Sequence, residues 1–370
     1  MRKDQFESPD YYMVEKLFSE EQIIVRDATR QWVKEYVSPI IEDYNLKGVF
    51  PKELIKGIAE IGGFGAILPA KYGGSELDLI SYGLMMQELE RGDSSIRVMC
   101  SIQTSLVMNN IYEHGNDFHK EEFLLKLSKG ELIGSFGLSE PGHGSDPASM
   151  QTRHTIDGDH YIINGSKMWI GNAPFCDIAL VWSKSANDNY ACFIVRRNDP
   201  GFSTSKIDKK WSFRASETGE LIFDNCKVHK KYLLFESDSI NAALRSLNIA
   251  RYAVACGSIG IAMECYDVAL KYSNERTQFG KKISSNQLIQ KKLVDMITEI
   301  TKAQLLNWKL GMMMNDGDAT FEQISMAKRN NVSVAYNVAR NARQILGGMG
   351  ITAEYPVMRH LINLETLITY

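Results

Sequence analysis

The hydrophobic period of this chain switches twice, and that alternation limits the folds open to it more than any other feature. Through the first third, apolar residues recur every three to four positions. Phe18-Ser19-Glu20-Glu21-Gln22-Ile23 opens the pattern with a capping box, Ser19 at the cap and Gln22 three residues on, and places Phe18 and Ile23 as a hydrophobic staple. Ile24, Ala28, Trp32 and Tyr36 continue it until Ser38-Pro39 interrupts. Pro51 opens another predicted helix over 52–61, which Gly62-Gly63 ends. After a loop at 68–74 helical spacing resumes to about 127.

From about 133 to 234 the pattern shortens to runs rich in Ile, Val, Tyr and Phe between turn residues. Residues 160–164 follow Asp157-Gly158, 191–195 follow an Asn/Asp cluster, and 220–223 alternate charged and apolar. Helical spacing returns at 241 and runs on in three long stretches broken near Gly280 and Gly317. The expectation is an α+β architecture: an N-terminal all-α domain (1–132), a middle antiparallel β domain (133–236) and a C-terminal helical bundle (237–370), incomplete at its end. No βαβ alternation, internal repeat or low-complexity linker is present.

Several function classes drop out on composition. A net charge of -3 supplies no field that would collect nucleic acid. Charged residues interrupt every apolar run, so no membrane span is expected. The first ten residues are polar and carry neither a secretory nor a transit pattern. That points to a bacterial-type cytoplasmic protein, or to the mitochondrial matrix if a transit peptide has been removed. The six cysteines are scattered without a CxxC pair, and Cys226 with His229 lacks a second half-site, so no metal is expected.

Gly348-Met349-Gly350-Ile351-Thr352-Ala353 fits a dinucleotide fingerprint, but it follows a helical run at 331–346 where the motif needs a strand. More informative is Phe136-Gly137-Leu138-Ser139-Glu140-Pro141-Gly142-His143-Gly144-Ser145-Asp146. Its glycines and hydroxyls can present small donors to a flat or anionic ligand, or simply make a glycine-rich β turn. Taken singly, three further segments have ordinary explanations. Trp169-Ile170-Gly171-Asn172-Ala173 suits a core strand end, Arg276-Thr277-Gln278-Phe279-Gly280-Lys281 a helix C-terminus, and Gln344-Ile345-Leu346-Gly347-Gly348-Met349-Gly350 a helix stop.

Together and in this order, the four segments closely resemble the acyl-CoA dehydrogenase family, from about 18 to 370. Glu88-Leu89-Glu90-Arg91-Gly92-Asp93-Ser94 with Arg97, then Gln103-Thr104-Ser105-Leu106-Val107-Met108, look most like glutaryl-CoA dehydrogenase. The resemblance implies an FAD enzyme that dehydrogenates an acyl thioester between its α and β carbons. A carboxylate takes the α-proton, hydride leaves the β-carbon for flavin N5, and donors on the thioester carbonyl stabilise the enolate-like charge.

It also assigns roles by position. Phe136, Leu138 and Ser139 belong to the loop lining the flavin, Trp169 is the wall against its ring, and Gly171 lies beside N5. Ser145 bonds the pantetheine-phosphate part of the substrate, and Arg251 lies near the thioester. Arg276, Phe279, Gln344, Gly347 and Gly348 hold the adenosine-pyrophosphate end of a neighbouring subunit's FAD, within a homotetramer built as a dimer of dimers. Reduced flavin passes electrons to an electron-transfer flavoprotein. Arg97, with Glu90 nearby, would pair the distal carboxylate of a dicarboxylic acyl group. The alternative for Arg97 is an exposed helix arginine paired with Glu90 or Asp93.

Three positions depart from the family pattern. Its catalytic glutamate directly follows a tyrosine matching Tyr370, where this sequence ends. The position that carries the base in one subgroup is Ala250, and Glu365 lies more than a helical turn upstream, so the base is unassigned. Gly171 stands where many members have Thr or Ser, which keeps a short-chain acyl-CoA oxidase open. Val98 replaces a serine usual in glutaryl-CoA dehydrogenase. A flavin or acyl-CoA binding protein without turnover is the remaining alternative.

Overall fold

The structure, a computed structural model, describes residues 4–370. Helix α1 (Glu20–Trp32) begins at the expected capping box, with Ser19 and Gln22 satisfying each other's backbone N–H groups. The run continues past Trp32 as a π-helical turn, Val33–Val37, and stops before Pro39. Helices α2 (Ile41–Lys47), α3 (Leu54–Glu60), α4 (Leu79–Gly92), α5 (Ser94–Ser101), α6 (Asn109–His114) and the short α7 (Asp117–His119) and α8 (Leu125–Ser128) complete the N-terminal unit. A second π-helical segment, Ile102–Met108, joins α5 to α6.

The α4–α5 junction matters most for the site. Asp93 adopts extended backbone (φ -168°), which ends α4, and its carboxylate accepts the Ser95 N–H at 2.8 Å, which caps α5. In a straight helix residues 90 and 97 would stand about 10 Å apart along the axis. The break lets them meet.

Eight strands form the middle sheet: β1 (Gly134–Gly137), β2 (Arg153–Asp157), β3 (His160–Gly171), β4 (Ile178–Lys184), β5 (Tyr190–Arg196), β6 (Phe202–Lys206), β7 (Thr218–His229) and β8 (Leu233–Ser237). Their order is β6-β7-β3-β2-β4-β5-β8, with β1 also against β4. Most of the pairings are antiparallel, as expected, and two need correction. β1 runs parallel to β4 along Gly134–Gly137, and Arg153 of β2 pairs in parallel with Lys184. A long excursion separates β1 from β4, enough chain for a parallel return, and alternation within a strand carries no record of its neighbour's direction.

The C-terminal unit contains α9 (Asn241–Glu275), a small hairpin of β9 (Thr277–Gln278) and β10 (Lys281–Lys282), α10 (Gln287–Asn315), α11 (Phe321–Ile345) and α12 (Val357–Thr369). α9 does hold a window apolar enough to cross a membrane, contrary to the sequence reading. That window is 83% buried within the protein, and its apolarity serves the core. α9 crosses α4 at very short range: a Cβ on Gly260 would lie 1.9 Å from the Gln87 carbonyl oxygen. One apolar cluster runs from α1 and α4 through the sheet to the start of α9, and a second fills the C-terminal bundle. Half-buried Ile102 packs on both.

α12 is pinned to the α4–α5 junction. Buried Arg359 donates to the Gly92 carbonyl (3.0 Å), to the Asp93 carboxylate and to Glu42 (2.7 Å). Asn363 donates to Asp93 at 3.2 Å and accepts the Phe213 N–H of the middle unit at 2.9 Å.

Candidate active site

Strand β3 presents the first half of the site. Simple alternation would send Trp169 to the same side as Lys167, into the core. Instead the register with β7 shifts between Lys167 and Ile170, and Trp169 takes a left-handed backbone (φ 65°). The bulge turns the indole outward, 59% exposed, while Ile170 goes inward. A bulky residue held at positive φ is strained, and such strain is typical of functional positions.

Beneath Trp169 lies a buried ion pair that sequence reasoning missed. Lys167 Nζ donates to Glu140 at 2.8 Å and to the Leu138 carbonyl at 3.1 Å. Glu140 also accepts the Gln151 N–H (2.6 Å), the Thr152 N–H (2.9 Å) and the Thr152 hydroxyl (2.6 Å). Burial opposes the Glu140 charge, but the Lys167 ammonium and these donors outweigh it and hold the carboxyl down at about 2. Burial lowers Lys167 to about 8 against the pull of Glu140. The pair ties both ends of the glycine-rich loop to β3, and the Met168 N–H donating to the Ser139 carbonyl (2.9 Å) adds a third tie.

The loop therefore has a fixed base and an open tip. Phe136 and Leu138 are buried, Ser139 is half-buried, and Gly142, Gly144 and Ser145 are exposed. Leu138's carbonyl is occupied by Lys167, so Ser139 and the loop's N–H groups are what it can offer a ligand. Gly171 is held by the Ser135 hydroxyl, which donates to its carbonyl at 2.9 Å. Asn172 turns the chain at φ 64°.

The second half of the site lies where α4, α5 and α12 meet. Arg97 is buried, which removes the exposed-helix reading, and it is paired with buried Glu90 through Nε (2.7 Å) and Nη2 (3.0 Å). It also donates to Ser101 Oγ (3.2 Å) and to the Tyr370 hydroxyl (2.9 Å). Burial raises the Glu90 carboxyl above its usual value even with Arg97 beside it. Room for that carboxylate comes from α9, because a Cβ on Gly257 would lie 2.0 Å from Glu90 Oε2.

Arg251 joins this cluster electrostatically. Its guanidinium donates to Asn248 at 3.0 Å, and partial burial weakens its hold on its proton. Lys328 of α11 donates to the carbonyls of Leu367 (2.7 Å) and Tyr370 at the end of α12. Burial, with the charges of Arg97 and Arg251, lowers Lys328 to about 8. Three cations thus converge around the end of α12. Glu365 faces away, bonded to Tyr336 on the exposed side.

The remaining expected residues lie elsewhere. Arg276 follows Arg251 by 25 positions on essentially one helix, about 37 Å along its axis. It shares its end of the bundle with Gln344, which accepts from Lys292 at 2.6 Å. Phe279, 98% exposed, and Gly347 and Gly348, with nothing within 4 Å of an added Cβ, form an open surface there. Within one chain these residues stand at the far end of α9 from Arg251.

The three units each match a known domain. Residues 19–131 match the N-terminal domain of acyl-CoA dehydrogenase, 135–226 its middle domain and 240–368 its C-terminal domain. The chain belongs to the acyl-CoA dehydrogenase family. An acyl-CoA dehydrogenase of Bacillus subtilis (strain 168) is 35% identical over 357 residues, covering 95% of this chain and 94% of that one. The glutaryl-CoA dehydrogenase of Mycobacterium smegmatis superposes with a TM-score of 0.94 at 41% identity, covering 96% of this chain and 92% of that one. A structure of a glutaryl-CoA dehydrogenase from Mycobacterium smegmatis in complex with FADH2 also gives a TM-score of 0.94, at 39% identity, covering 96% of this chain and 92% of that one. Butyryl-CoA dehydrogenase of Megasphaera elsdenii gives 0.91 at 33% identity, covering 95% and 94%.

As a member of this family the chain is an FAD-dependent oxidoreductase acting on CH–CH donors. Its own residues suit the cofactor: an outward aromatic face on a strained bulge, beside a loop whose base is locked and whose hydroxyls are free. Several contributors were not found from sequence. Lys167, Gly257 and Lys328 are among them. A lysine two residues from Trp169 and a glutamate inside the glycine loop were the available clues to the first.

Proposed function

We propose that this enzyme oxidises a short-chain acyl-CoA between its α and β carbons, with glutaryl-CoA the leading candidate. The observation that carries the proposal is Arg97, buried in a polar cage of Glu90, Ser101 and Tyr370. A purely hydrocarbon acyl chain would give no reason to hold a guanidinium there. Four bonds of its five donors are engaged, so an incoming carboxylate must displace Tyr370 or share Arg97 with Glu90. Burial, which raises the Glu90 carboxyl above its ordinary value, works against the Glu90 charge beside Arg97 and so supports that exchange.

In this reading the acyl chain lies between the exposed face of Trp169 and the end of α12. FAD, when bound, accepts the hydride from the β-carbon. Trp169 and the 138–145 loop hold its ring. Arg251 and Lys328 supply positive charge near the thioester and favour its enolate-like form. The α-proton goes to a carboxylate, which the family resemblance puts directly after Tyr370; Lys328 and Arg359 hold the helix α12 that leads there. Ser145, at the open loop tip, takes the pantetheine-phosphate. The distant surface of Arg276, Phe279, Gln344, Gly347 and Gly348 serves the FAD of a second copy, in a homotetramer, and electrons leave to an electron-transfer flavoprotein.

A monocarboxylic substrate such as butyryl-CoA is the second reading, favoured by Val98 and by the neutrality of the Arg97–Glu90 pair. A substrate screen with an artificial electron acceptor tests both, on a chain carrying glutamate directly after Tyr370. Preference for glutaryl-CoA over butyryl-CoA supports the first reading; the reverse order removes it.

A further inference from the structure

Gly171 leaves a gap in β3, and the structure shows what fills it. A Cβ at this position would lie 2.4 Å from Ile102 Cδ1 and 3.9 Å from Val98 Cγ1. Ile102 opens the π-helical segment Ile102–Met108, one residue after α5 ends, and is the half-buried side chain that packs on both apolar clusters. Its δ-methyl therefore takes the volume that a side chain at 171 would claim. The Gly171 backbone cannot drift away from it, because the Ser135 hydroxyl holds the Gly171 carbonyl at 2.9 Å and Asn172 donates to the Gly134 carbonyl at 3.2 Å.

We propose that Ile102 and Gly171 are a complementary pair in which Ile102 closes the reactive edge of the flavin with hydrocarbon, and that Ile102 thereby sets the enzyme's reactivity toward dioxygen. The inference rests on the placement of the flavin against Trp169 given above. Reoxidation of the two-electron-reduced cofactor by dioxygen moves two electrons and the reduced flavin's two hydrogens to oxygen (FADH2 + O2 gives FAD + H2O2), with negative charge developing on oxygen on the way. A hydrocarbon wall offers that charge no hydrogen bond and no water, so the reaction is slow. A glycine alone at 171 would leave the edge open. The glycine together with Ile102 does not.

The test is a cycle of Ile102→Ala, Gly171→Ala and the double variant, each loaded with FAD, with Ile102→Val as a milder probe. Melting temperature, the visible flavin spectrum and the rate of dioxygen reoxidation after chemical reduction are measured. Gly171→Ala alone is expected to lower the melting temperature by about 2–4 °C through overpacking, and the double variant to recover most of that loss. Ile102→Ala is expected to shift the flavin spectrum and to speed reoxidation by about tenfold, with Ile102→Val between. Unchanged reoxidation in Ile102→Ala overturns the proposal, even if the melting temperatures show coupling. Wild-type protein that retains no flavin would strike the underlying flavin placement instead.

Discussion

Replacing Arg97 by methionine keeps most of the side-chain length and removes the charge. Lost with it are two bonds to Glu90 at 2.7 and 3.0 Å, one to Tyr370 at 2.9 Å and one to Ser101 at 3.2 Å. A carboxylate held by a desolvated guanidinium loses about 2–5 kcal/mol when that partner is truncated. At 1.36 kcal/mol per tenfold, the dissociation constant of a glutaryl thioester should rise roughly 30- to 5,000-fold. A butyryl thioester carries no distal charge and should change by roughly threefold at most, a loss of packing alone. Binding is read by titrating FAD-loaded protein and following the flavin spectrum, which requires no catalytic base. The variant leaves Glu90 buried without its partner, a cost of about 3–5 kcal/mol unless the carboxyl takes a proton. Arg97→Met with Glu90→Gln separates the effects: it should recover thermal stability without recovering glutaryl affinity. Equal losses for the two thioesters would refute the reasoning, because Arg97 would then act through the fold and not through the distal carboxylate.

Three further outcomes follow from the packing. Gly257→Ala places a methyl against Glu90 Oε2 and should destabilise the protein by about 1–3 kcal/mol in thermal unfolding; an unchanged melting temperature would show that the pair has slack. Trp169→Ala should raise the FAD dissociation constant by about tenfold while Trp169→Phe keeps most of the affinity, and equal retention by all three proteins would remove the ring-wall role. Glu140, at about 2 in the fold against 4.5 ordinarily, contributes stability that is complete above pH 4.5 and disappears as pH falls through about 2. The contribution is about 3 kcal/mol. Urea unfolding across that range should show it in wild type, and Glu140→Gln should flatten the acid limb; an identical limb would contradict the assignment.

Fold and site differed in how far the sequence exposed them. Helix starts carry local chemistry, so the Ser19 cap was readable from six residues. Strand alternation located the middle unit but not the parallel β1–β4 pairing, which depends on partners some 44 positions apart. Trp169 alone reads as a core aromatic. Its exposure comes from a one-residue bulge against β7, and nothing local to 165–173 encodes that register shift. The Arg97–Glu90 pair was anticipated as a neighbourhood, whereas its burial arises from α9 pressing on α4 at Gly257 and Gly260. Lys167 and Lys328 were invisible for the same reason. A lysine is usually solvated, and only tertiary packing drives these two inward to carbonyls and a carboxylate.

A crystal structure grown with FAD and a glutaryl thioester tests the placement of cofactor and substrate most directly. The account expects the isoalloxazine ring flat against the Trp169 indole beside Ser139, with the acyl carboxylate at Arg97. A ring bound elsewhere, or a carboxylate pointing to solvent while Arg97 keeps Glu90 and Tyr370 unchanged, would contradict it.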